Sequence, residues 1–332
     1  MTNELHIDYV FEDPERQALI DAFLDLTVNP YKMYPAFREQ VRGIATHLPE
    51  LRRLRDFIEY TRSISAYEHP FLFLRNAPLD PELPDMDIVD PVFDKYRKKK
   101  TFITEGFLQL FADLAGQYPI GYRNVNDGDV FQDIFPKEEL KHTQSQKALG
   151  PIYFHKDLAN HFVRPDYVNI LGVRSSDQNE ILTTFVSNRD LLENLTPNTK
   201  RDLRRQAYHT PYDDLTTKTG NVKLGEADTH PVYSGTYDLR YFENRTKGLD
   251  ADATRAIDEL LALAHKHKKR VLMRPGDFVC IANNLSLHGK EIGQIRSTTE
   301  QLRRWSMKTV NVYSIAPYAK HIVRGTDYLI NG

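Results

Sequence analysis

The segment RPGDFVCIANNLSLHG, residues 274–289, is the part of the sequence that is most informative about the expected fold. It contains a Pro-Gly-Asp turn, a run of apolar residues that fits a buried strand, a second turn, and a histidine, His288, that begins the next strand. Further short runs rich in Val, Ile, Tyr, Phe and Thr continue this pattern from about residue 118 onward, with turn residues between them. Such spacing is typical of a sandwich or a small barrel of antiparallel strands.

The chain before residue 118 is expected to be mainly helical, because apolar residues there recur at spacings of three and four. Proline opens two of these segments and glycine closes a third, which suits the ends of helices. Two helical insertions are also expected to interrupt the strand-rich part of the chain. The expected helices cover 14–28, 48–62, 103–116, 188–207 and 251–270, with a strand within 69–78 and a loop over 78–92.

The composition excludes several classes of function. The 332 residues include 44 Lys and Arg against 46 Asp and Glu, so the net charge of −2 gives no electrostatic footprint for nucleic acid. No apolar run reaches the roughly 18–20 residues that a membrane helix needs, and the acidic N-terminus predicts no signal peptide. The single cysteine, Cys280, excludes a disulfide framework or a Cys-ligated zinc site within the chain. We therefore expect a cytoplasmic protein that binds neither nucleic acid nor a membrane, and the composition leaves a homo-oligomer open.

Two His-x-Asp triplets offer pairs of metal ligands, although chance alone gives about this number. His6 lies in a polar N-terminal tail, whereas His155 ends the aromatic run GPIYF, which fits a strand. Residues i and i+2 of a strand point to the same side, so His155 and Asp157 can meet one ion. Together with His288 they would form the set of two histidines and one carboxylate that suits non-haem Fe(II) oxygenases. The alternative is a histidine at a strand end that is merely hydrogen-bonded.

Arg304 and Trp305 follow His288 at the start of another strand-like run. An arginine on a neighbouring strand of a barrel can hold a dicarboxylate through two parallel hydrogen bonds. The sequence therefore places a candidate for anion binding beside a candidate metal site.

Four stretches together resemble the iron(II)/2-oxoglutarate-dependent dioxygenases of the clavaminate synthase-like branch, which includes asparagine and arginine oxygenases and free L-lysine hydroxylases. They are FHKDLANHFVRPDYVNILGVR, ILTTFVS, RPGDFVCIANNLSLHG and RRW, and they run in the order of that family over roughly 118–315. The resemblance implies a mostly β chain with helices (α+β). Its core would be a double-stranded β-helix, a distorted jelly roll, over 118–332. Residues 1–117 would form a mainly helical part packed on that core within one domain, and the inserted helices would lie outside.

The same resemblance implies roles for individual residues. His155, Asp157 and His288 would ligate Fe(II), and Arg304 would hold the distal carboxylate of 2-oxoglutarate. Thr183 would add a hydrogen bond from its hydroxyl group, and its spacing to Ser187 favours it over its neighbour. Several relatives in this branch carry Glu where this chain has Asp157, and iron accepts either carboxylate. The sequence leaves open whether Thr183 or Thr184, and whether Arg303 or Arg304, faces the 2-oxoglutarate.

The implied activity is hydroxylation of a C–H bond of a free amino acid, with O₂ consumed and succinate and CO₂ released. L-lysine is the first candidate substrate, and arginine, ornithine and asparagine are alternatives. We expect Lys308 to bind the substrate carboxylate, and Glu243 or Asp238 to bind its amino group. No catalytic residue is expected beyond the metal ligands. A non-catalytic cupin-like binding protein and a zinc hydrolase on a similar barrel are the competing interpretations.

Overall fold

The helices lie in the first third of the chain and in two later insertions. The computed structural model describes residues 3–141, 143–211 and 228–331. Within them, the helices are α1 (Asp13–Leu24), α2 (Tyr34–Thr46), α3 (Arg52–Arg62), α4 (Pro91–Lys98), α5 (Ile103–Leu114), α6 (Asn188–Asn194), α7 (Pro197–Leu203), α8 (Ala251–His267) and α9 (Thr298–Arg303). No helix of these residues is long and apolar enough to cross a membrane.

Five of these helices differ from the sequence-based expectation: α2, α4, α6, α7 and α9. The sequence did not predict α2, α4 or α9, and α4 begins inside the segment expected to be a loop. The insertion expected over 188–207 is two helices instead of one. Pro197 stands in the first turn of α7, and the Thr196 side chain caps that helix. Proline interrupts a helix anywhere but in its first turn, so a single helix across this segment is excluded.

The strands are mostly short and lie mainly in the second part of the chain. They are β1 (Tyr9–Val10), β2 (Phe71–Arg75), β3 (Tyr118–Tyr122), β4 (Gln132–Ile134), β5 (Ile152–His155), β6 (Tyr167–Arg174), β7 (Asn179–Ser187), β8 (Tyr208–His209), β9 (Tyr233–Ser234), β10 (Asp238–Leu239), β11 (Lys247–Gly248), β12 (Lys269–Leu272), β13 (Phe278–Ala282), β14 (Ser286–Ile295), β15 (Trp305–Val312) and β16 (Leu329–Ile330).

Two facing sheets form the body of the protein. The larger sheet has the order β1-β2-β13-β6-β15-β3-β16, with β4 paired to β15, and the smaller has the order β12-β7-β14-β5. Neighbouring strands are antiparallel except for the pairs β1–β2 and β3–β16. This is the jelly roll that the resemblance implies, so the prediction of fold class is confirmed. Strands β1 and β2, from the part before residue 118, complete one side of the larger sheet.

Three apolar clusters hold the layers together. One lies between the sheets and joins Val168, Val279 and Val310 of the larger sheet to Phe185 of the smaller. A second packs the outer face of the larger sheet against the N-terminal helices, and a third packs the smaller sheet against α6, α7 and α8. Side chains of a strand alternate between its faces, so even-numbered residues of β15 point between the sheets.

Candidate functional site

Three side chains meet at one end of the space between the sheets. His155 is the last residue of β5, Asp157 follows two residues later, and His288 lies on β14. Strands β5 and β14 pair so that the two histidines are direct cross-strand neighbours. One ligand atom from each of the three residues lies within 4.8 Å of the other two. The pairing of the two strands therefore brings together the residues that the sequence proposes as metal ligands.

The hydrogen bonds of this cluster leave the metal-facing atoms available. Nδ1 of His155 bonds to the Tyr153 carbonyl oxygen at 2.8 Å, which fixes the ring and directs Nε2 inward. Oδ1 of Asp157 lies 3.4 Å from that Nε2 and 3.5 Å from Nε2 of His288. Burial, together with the neighbouring His155, lowers the pKa of His288 and keeps its imidazole neutral. A neutral imidazole is the form that binds a metal.

The second oxygen of Asp157 accepts a hydrogen bond from Lys308. The ammonium Nζ lies 2.8 Å from Oδ2, and both side chains are largely buried. Burial opposes ionisation of the carboxyl group, but Lys308 and the two histidines outweigh that effect and hold the pKa of Asp157 well below its usual range. Lys308, expected from the sequence to bind substrate, thus also contacts a candidate metal ligand.

Asn283 fixes the backbone of Asp157, a role that the sequence interpretation missed. Its Oδ1 accepts the Asp157 N–H at 2.8 Å, and its Nδ2 donates to the Asp157 carbonyl at 3.0 Å and to the Pro165 carbonyl at 2.9 Å. The side chain is fully buried at the turn between β13 and β14. A pair of asparagines in that turn was the available signal, since asparagine side chains commonly bond nearby backbone groups.

Arg304 and Thr183 line one cavity, next to Ser306 and Ile181. Arg304 follows the last residue of α9 and immediately precedes β15, and within the described residues its guanidinium makes no ion pair and its buried Nε has no partner. Burial lowers the pKa of Arg304 to about 10, so the group remains a cation at neutral pH. An unpaired cation facing a cavity favours binding of an anion there.

The sequence left open which of two adjacent arginines and which of two adjacent threonines faces the 2-oxoglutarate, and the structure gives the members of each pair different surroundings. Arg303 is exposed to solvent, whereas Arg304 faces the cavity. Thr184 is buried opposite Gly289, whereas Thr183 lines the cavity. This placement favours Arg304 and Thr183.

Lys290 is a second basic residue at the site, on the inner face of β14, and the sequence interpretation did not consider it. It lies two residues beyond His288 and pairs with Thr183 across the sheet. Its Nζ donates to the Ala148 carbonyl. Burial and the nearby Arg304 lower the pKa of Lys290 to about 6.

Glu243 and Asp238 already have partners. The Glu243 carboxylate accepts the Phe154 N–H at 3.0 Å and contacts Nε2 of His265 at 2.9 Å. Asp238 accepts from Lys156 and, at 3.0 Å, from Arg164. The structure thus brings His155, Asp157, His288 and Lys308 together, whereas Glu243 and Asp238 fix neighbouring segments of the chain.

The residues present fit an Fe(II) site. Two imidazoles and one carboxylate on one side of an ion leave the other positions open for further ligands, which is the arrangement of non-haem Fe(II) oxygenases. The Phe242 ring stacks on the imidazole of His155, a candidate ligand, with ring centroids 5.7 Å apart and planes 20° apart. The cavity with the unpaired arginine could receive an anionic co-substrate.

Comparison with known sequences gives matches along most of the chain. The pattern of the family described as "Taurine catabolism dioxygenase TauD, TfdA family" matches residues 45–307. Clavaminate synthase 2 of Streptomyces clavuligerus is 24% identical over 285 residues, covering 76% of this chain and 84% of that protein. Enduracididine beta-hydroxylase of Streptomyces hygroscopicus is 24% identical over 331 residues, covering 89% and 91% respectively.

Solved structures share the fold over nearly the whole chain. Asparagine oxygenase in complex with Fe(II), 2S,3S-3-hydroxyasparagine and succinate has a TM-score of 0.83 and 19% identity, covering 98% of this chain and 100% of that one. The non-heme iron oxygenase OrfP in complex with Fe, succinate and (3S)-hydroxy-L-Arg has a TM-score of 0.77 and 21% identity, covering 97% and 99%. At these identities the likeness establishes a shared fold.

Proposed function

Because the chain belongs to the TauD, TfdA family of dioxygenases, we propose that it is an Fe(II)/2-oxoglutarate-dependent hydroxylase of a free amino acid. The observation that carries the proposal is the convergence of His155, Asp157 and His288, with one ligand atom of each within 4.8 Å of the others. Fe(II) bound there, with 2-oxoglutarate and O₂, supplies the oxidation that converts a substrate C–H bond to C–OH and releases succinate and CO₂.

The protein's own residues bind and orient the reactants. Asn283 holds the backbone of Asp157, and Lys308 holds its Oδ2, so that Oδ1 stays directed at the two histidines. Outer partners of this kind orient metal ligands and tune their affinity. We assign to Arg304 the distal carboxylate of 2-oxoglutarate, because it is a buried cation without an ion pair in the described residues, and to Thr183 a supporting hydrogen bond.

A free amino acid is the substrate class that the relatives support. Two relatives of known structure form complexes with a hydroxyasparagine and a hydroxy-L-arginine, and a third relative is an enduracididine beta-hydroxylase. L-lysine remains our candidate from the sequence resemblance, and these relatives support L-arginine and L-asparagine as the alternatives. Lys308 is the residue we assign to the substrate carboxylate. The side-chain partners of Glu243 and Asp238 weaken their assignment to the amino group.

A panel of substrates tests this function. Purified protein with Fe(II), 2-oxoglutarate and O₂ is offered L-lysine, L-arginine, L-ornithine, L-asparagine or a peptide, and succinate and product mass are measured. We expect an increase of 16 Da in one of the amino acids. His288→Ala should abolish the product, while His47→Ala, a change at an exposed histidine outside the site, should not.

The competing functions make different predictions in the same panel. A non-catalytic binding protein would form no succinate above the His288→Ala background with any compound. A zinc hydrolase would act without 2-oxoglutarate and would not need Arg304. If only the peptide were hydroxylated, the proposed iron site would stand, but the proposal that the substrate is a free amino acid would be wrong.

A further inference from the structure

Gln132 lies on the inner face of the larger sheet, beside the candidate metal site. Strand β4 pairs with β15 in an antiparallel register that places Gln132 opposite Lys308 and Asp133 opposite Met307. Directly paired residues of antiparallel strands have their side chains on the same face. Met307 packs against the outer helices, and Asp133 bonds to Trp305 on that outer side. Gln132 therefore shares the inner face with Lys308.

The Gln132 side chain is buried, and its amide nitrogen has no hydrogen-bond partner among the described residues. Only 2% of the residue is exposed, and in the part of the chain that the structure describes its buried Nε2 has no acceptor. Gln117, another buried glutamine, has hydrogen-bond partners at both ends of its amide. Its amide accepts from Asn169 and Asn311 and donates to Cys280. A buried polar group that lacks a partner costs stability, so an unpaired amide beside a reactive site indicates a ligand.

The position of Gln132 separates it from the proposed co-substrate cavity. Along β15 the inward-facing positions run from Arg304, just before the strand, through Ser306 to Lys308. Ser306 lines the Arg304 cavity and pairs with Ile134, whereas Gln132 pairs with Lys308, which contacts Asp157. Gln132 thus lies at the end of this row that is farther from Arg304, where the second reactant would lie.

We propose that Gln132 is a specificity-determining residue that binds the carboxylate of the amino-acid substrate together with Lys308. This inference rests on the proposed function, since it concerns the reactant that is hydroxylated. The amide N–H of Gln132 donates to one carboxylate oxygen, and the Lys308 ammonium, which has three donors and uses one on Asp157, donates to the other. The substrate carboxylate then supplies the acceptor that Gln132 lacks. Substrates without a carboxylate leave the amide unpaired and are rejected.

The test compares Gln132→Leu with a matched change at Gln109. Gln109 is also fully buried, and its Nε2 also lacks a partner in the described part of the chain, but it lies on α5 beneath the N-terminal helices. Loss of a charge-assisted hydrogen bond should raise the KM for the amino acid in Gln132→Leu by about tenfold to a hundredfold. The KM for 2-oxoglutarate should change less than about twofold in both variants. Gln109→Leu should keep the wild-type KM for the amino acid.

A second arm identifies the group that Gln132 binds. The amino acid that the wild type hydroxylates is compared with its decarboxylated form: agmatine for L-arginine, cadaverine for L-lysine, or 3-aminopropanamide for L-asparagine. The wild type should prefer the amino acid strongly, and Gln132→Leu should lose much of this preference. Gln132→Met, which keeps an unbranched side chain, gives the same comparison if the leucine variant does not fold.

The outcomes separate this inference from the proposed function. If the wild type hydroxylates no amino acid, the proposed function fails. If the wild type is active and neither Gln132 variant changes the KM for the amino acid, the role of Gln132 is wrong while the hydroxylase stands. An equal rise in the KM for 2-oxoglutarate, or an unchanged preference over the decarboxylated compound, also overturns the role of Gln132.

Discussion

At the scale of single residues, the two oxygens of the Asp157 carboxylate have different neighbours. Oδ1 faces the two histidines, while Oδ2 accepts from Lys308. Because one oxygen is held by a fixed cation, the other has a defined direction toward the metal position. The backbone on which this carboxylate stands is held by Asn283. The orientation of the Asp157 carboxylate therefore depends on Lys308 and Asn283, which are not themselves candidate metal ligands.

Arg304 gives the first prediction at this scale. In Arg304→Lys the charge remains but the planar pair of donors is lost, so binding of a carboxylate through two parallel hydrogen bonds is no longer available. We expect the KM for 2-oxoglutarate to rise about tenfold, with a smaller change in the KM for the amino acid. Initial rates of succinate release, with each substrate varied in turn, measure both constants.

Arg303→Lys is the matched control, because Arg303 is adjacent in sequence but exposed to solvent. It should leave both constants close to their wild-type values. A rise in the KM for 2-oxoglutarate in Arg303→Lys, together with none in Arg304→Lys, would move the carboxylate-binding role to Arg303.

At the scale of elements, the two candidate histidines depend on how closely β5 approaches β14. Gly289 follows His288, and a Cβ built on it would lie 2.7 Å from the Ile152 carbonyl oxygen of β5 and 3.0 Å from the Thr184 hydroxyl oxygen. The first of these atoms belongs to the backbone of the strand that carries His155. Only glycine permits this approach, so the position of one ligand relative to the other depends on Gly289.

Gly289→Ala is therefore expected to displace β5 and weaken metal binding. The added methyl group should cost about 1–3 kcal/mol of unfolding free energy, the usual penalty of overpacking, and lower the affinity for Co(II) as a stand-in for Fe(II). Urea unfolding of the metal-free protein and a Co(II) titration measure the two effects. Gly43→Ala on α2, where a Cβ meets nothing within 4 Å, should instead stabilise the protein by about 0.5–1 kcal/mol. Unchanged Co(II) affinity in Gly289→Ala would contradict the argument.

The sequence predicts elements and ligands where local patterns are long enough. Strand-like runs and the His-x-Asp triplet are visible along a few consecutive residues, and they indicate a sandwich or small barrel with a candidate pair of metal ligands. The resemblance to the dioxygenase family adds the jelly roll and the third candidate ligand, His288. Strand β4 has only three residues, too few for alternation to show, so nothing in the sequence pairs Gln132 with Lys308. The contact of Lys308 with Asp157 joins residues 151 positions apart and depends on side-chain conformation. The sequence pattern contains no such information.

At the scale of the whole molecule, the histidines make stability depend on pH. His230 is buried, its Nδ1 bonds to the Pro231 carbonyl at 2.9 Å, and its Nε2 accepts from the Thr210 hydroxyl group at 2.8 Å. Thr210 also bonds to the hydroxyl of Thr246 at 2.8 Å, so the ring joins the segment that follows α7 to the segment that precedes α8. Burial lowers the pKa of His230 from 6.5 to about 4.

The direction of the pH effect follows from this lowered pKa. Between pH 6.5 and pH 4 the unfolded chain binds a proton at His230 and the folded chain does not, so acidification favours unfolding. We expect His230 to account for a loss of about 2–3 kcal/mol of unfolding free energy across this window, and for no further change below it.

Other histidines with lowered pKa, among them His288, act in the same direction, so the contribution of His230 is measured as the difference in pH dependence between a variant and the wild type. Urea unfolding in EDTA, at several pH values, should show a smaller loss in His230→Gln than in the wild type. His47→Gln removes an exposed histidine, and its unfolding free energy should depend on pH as strongly as that of the wild type. If His230→Gln and His47→Gln lose stability equally between pH 6.5 and pH 4, the ring of His230 is not the group that remains neutral in the folded protein.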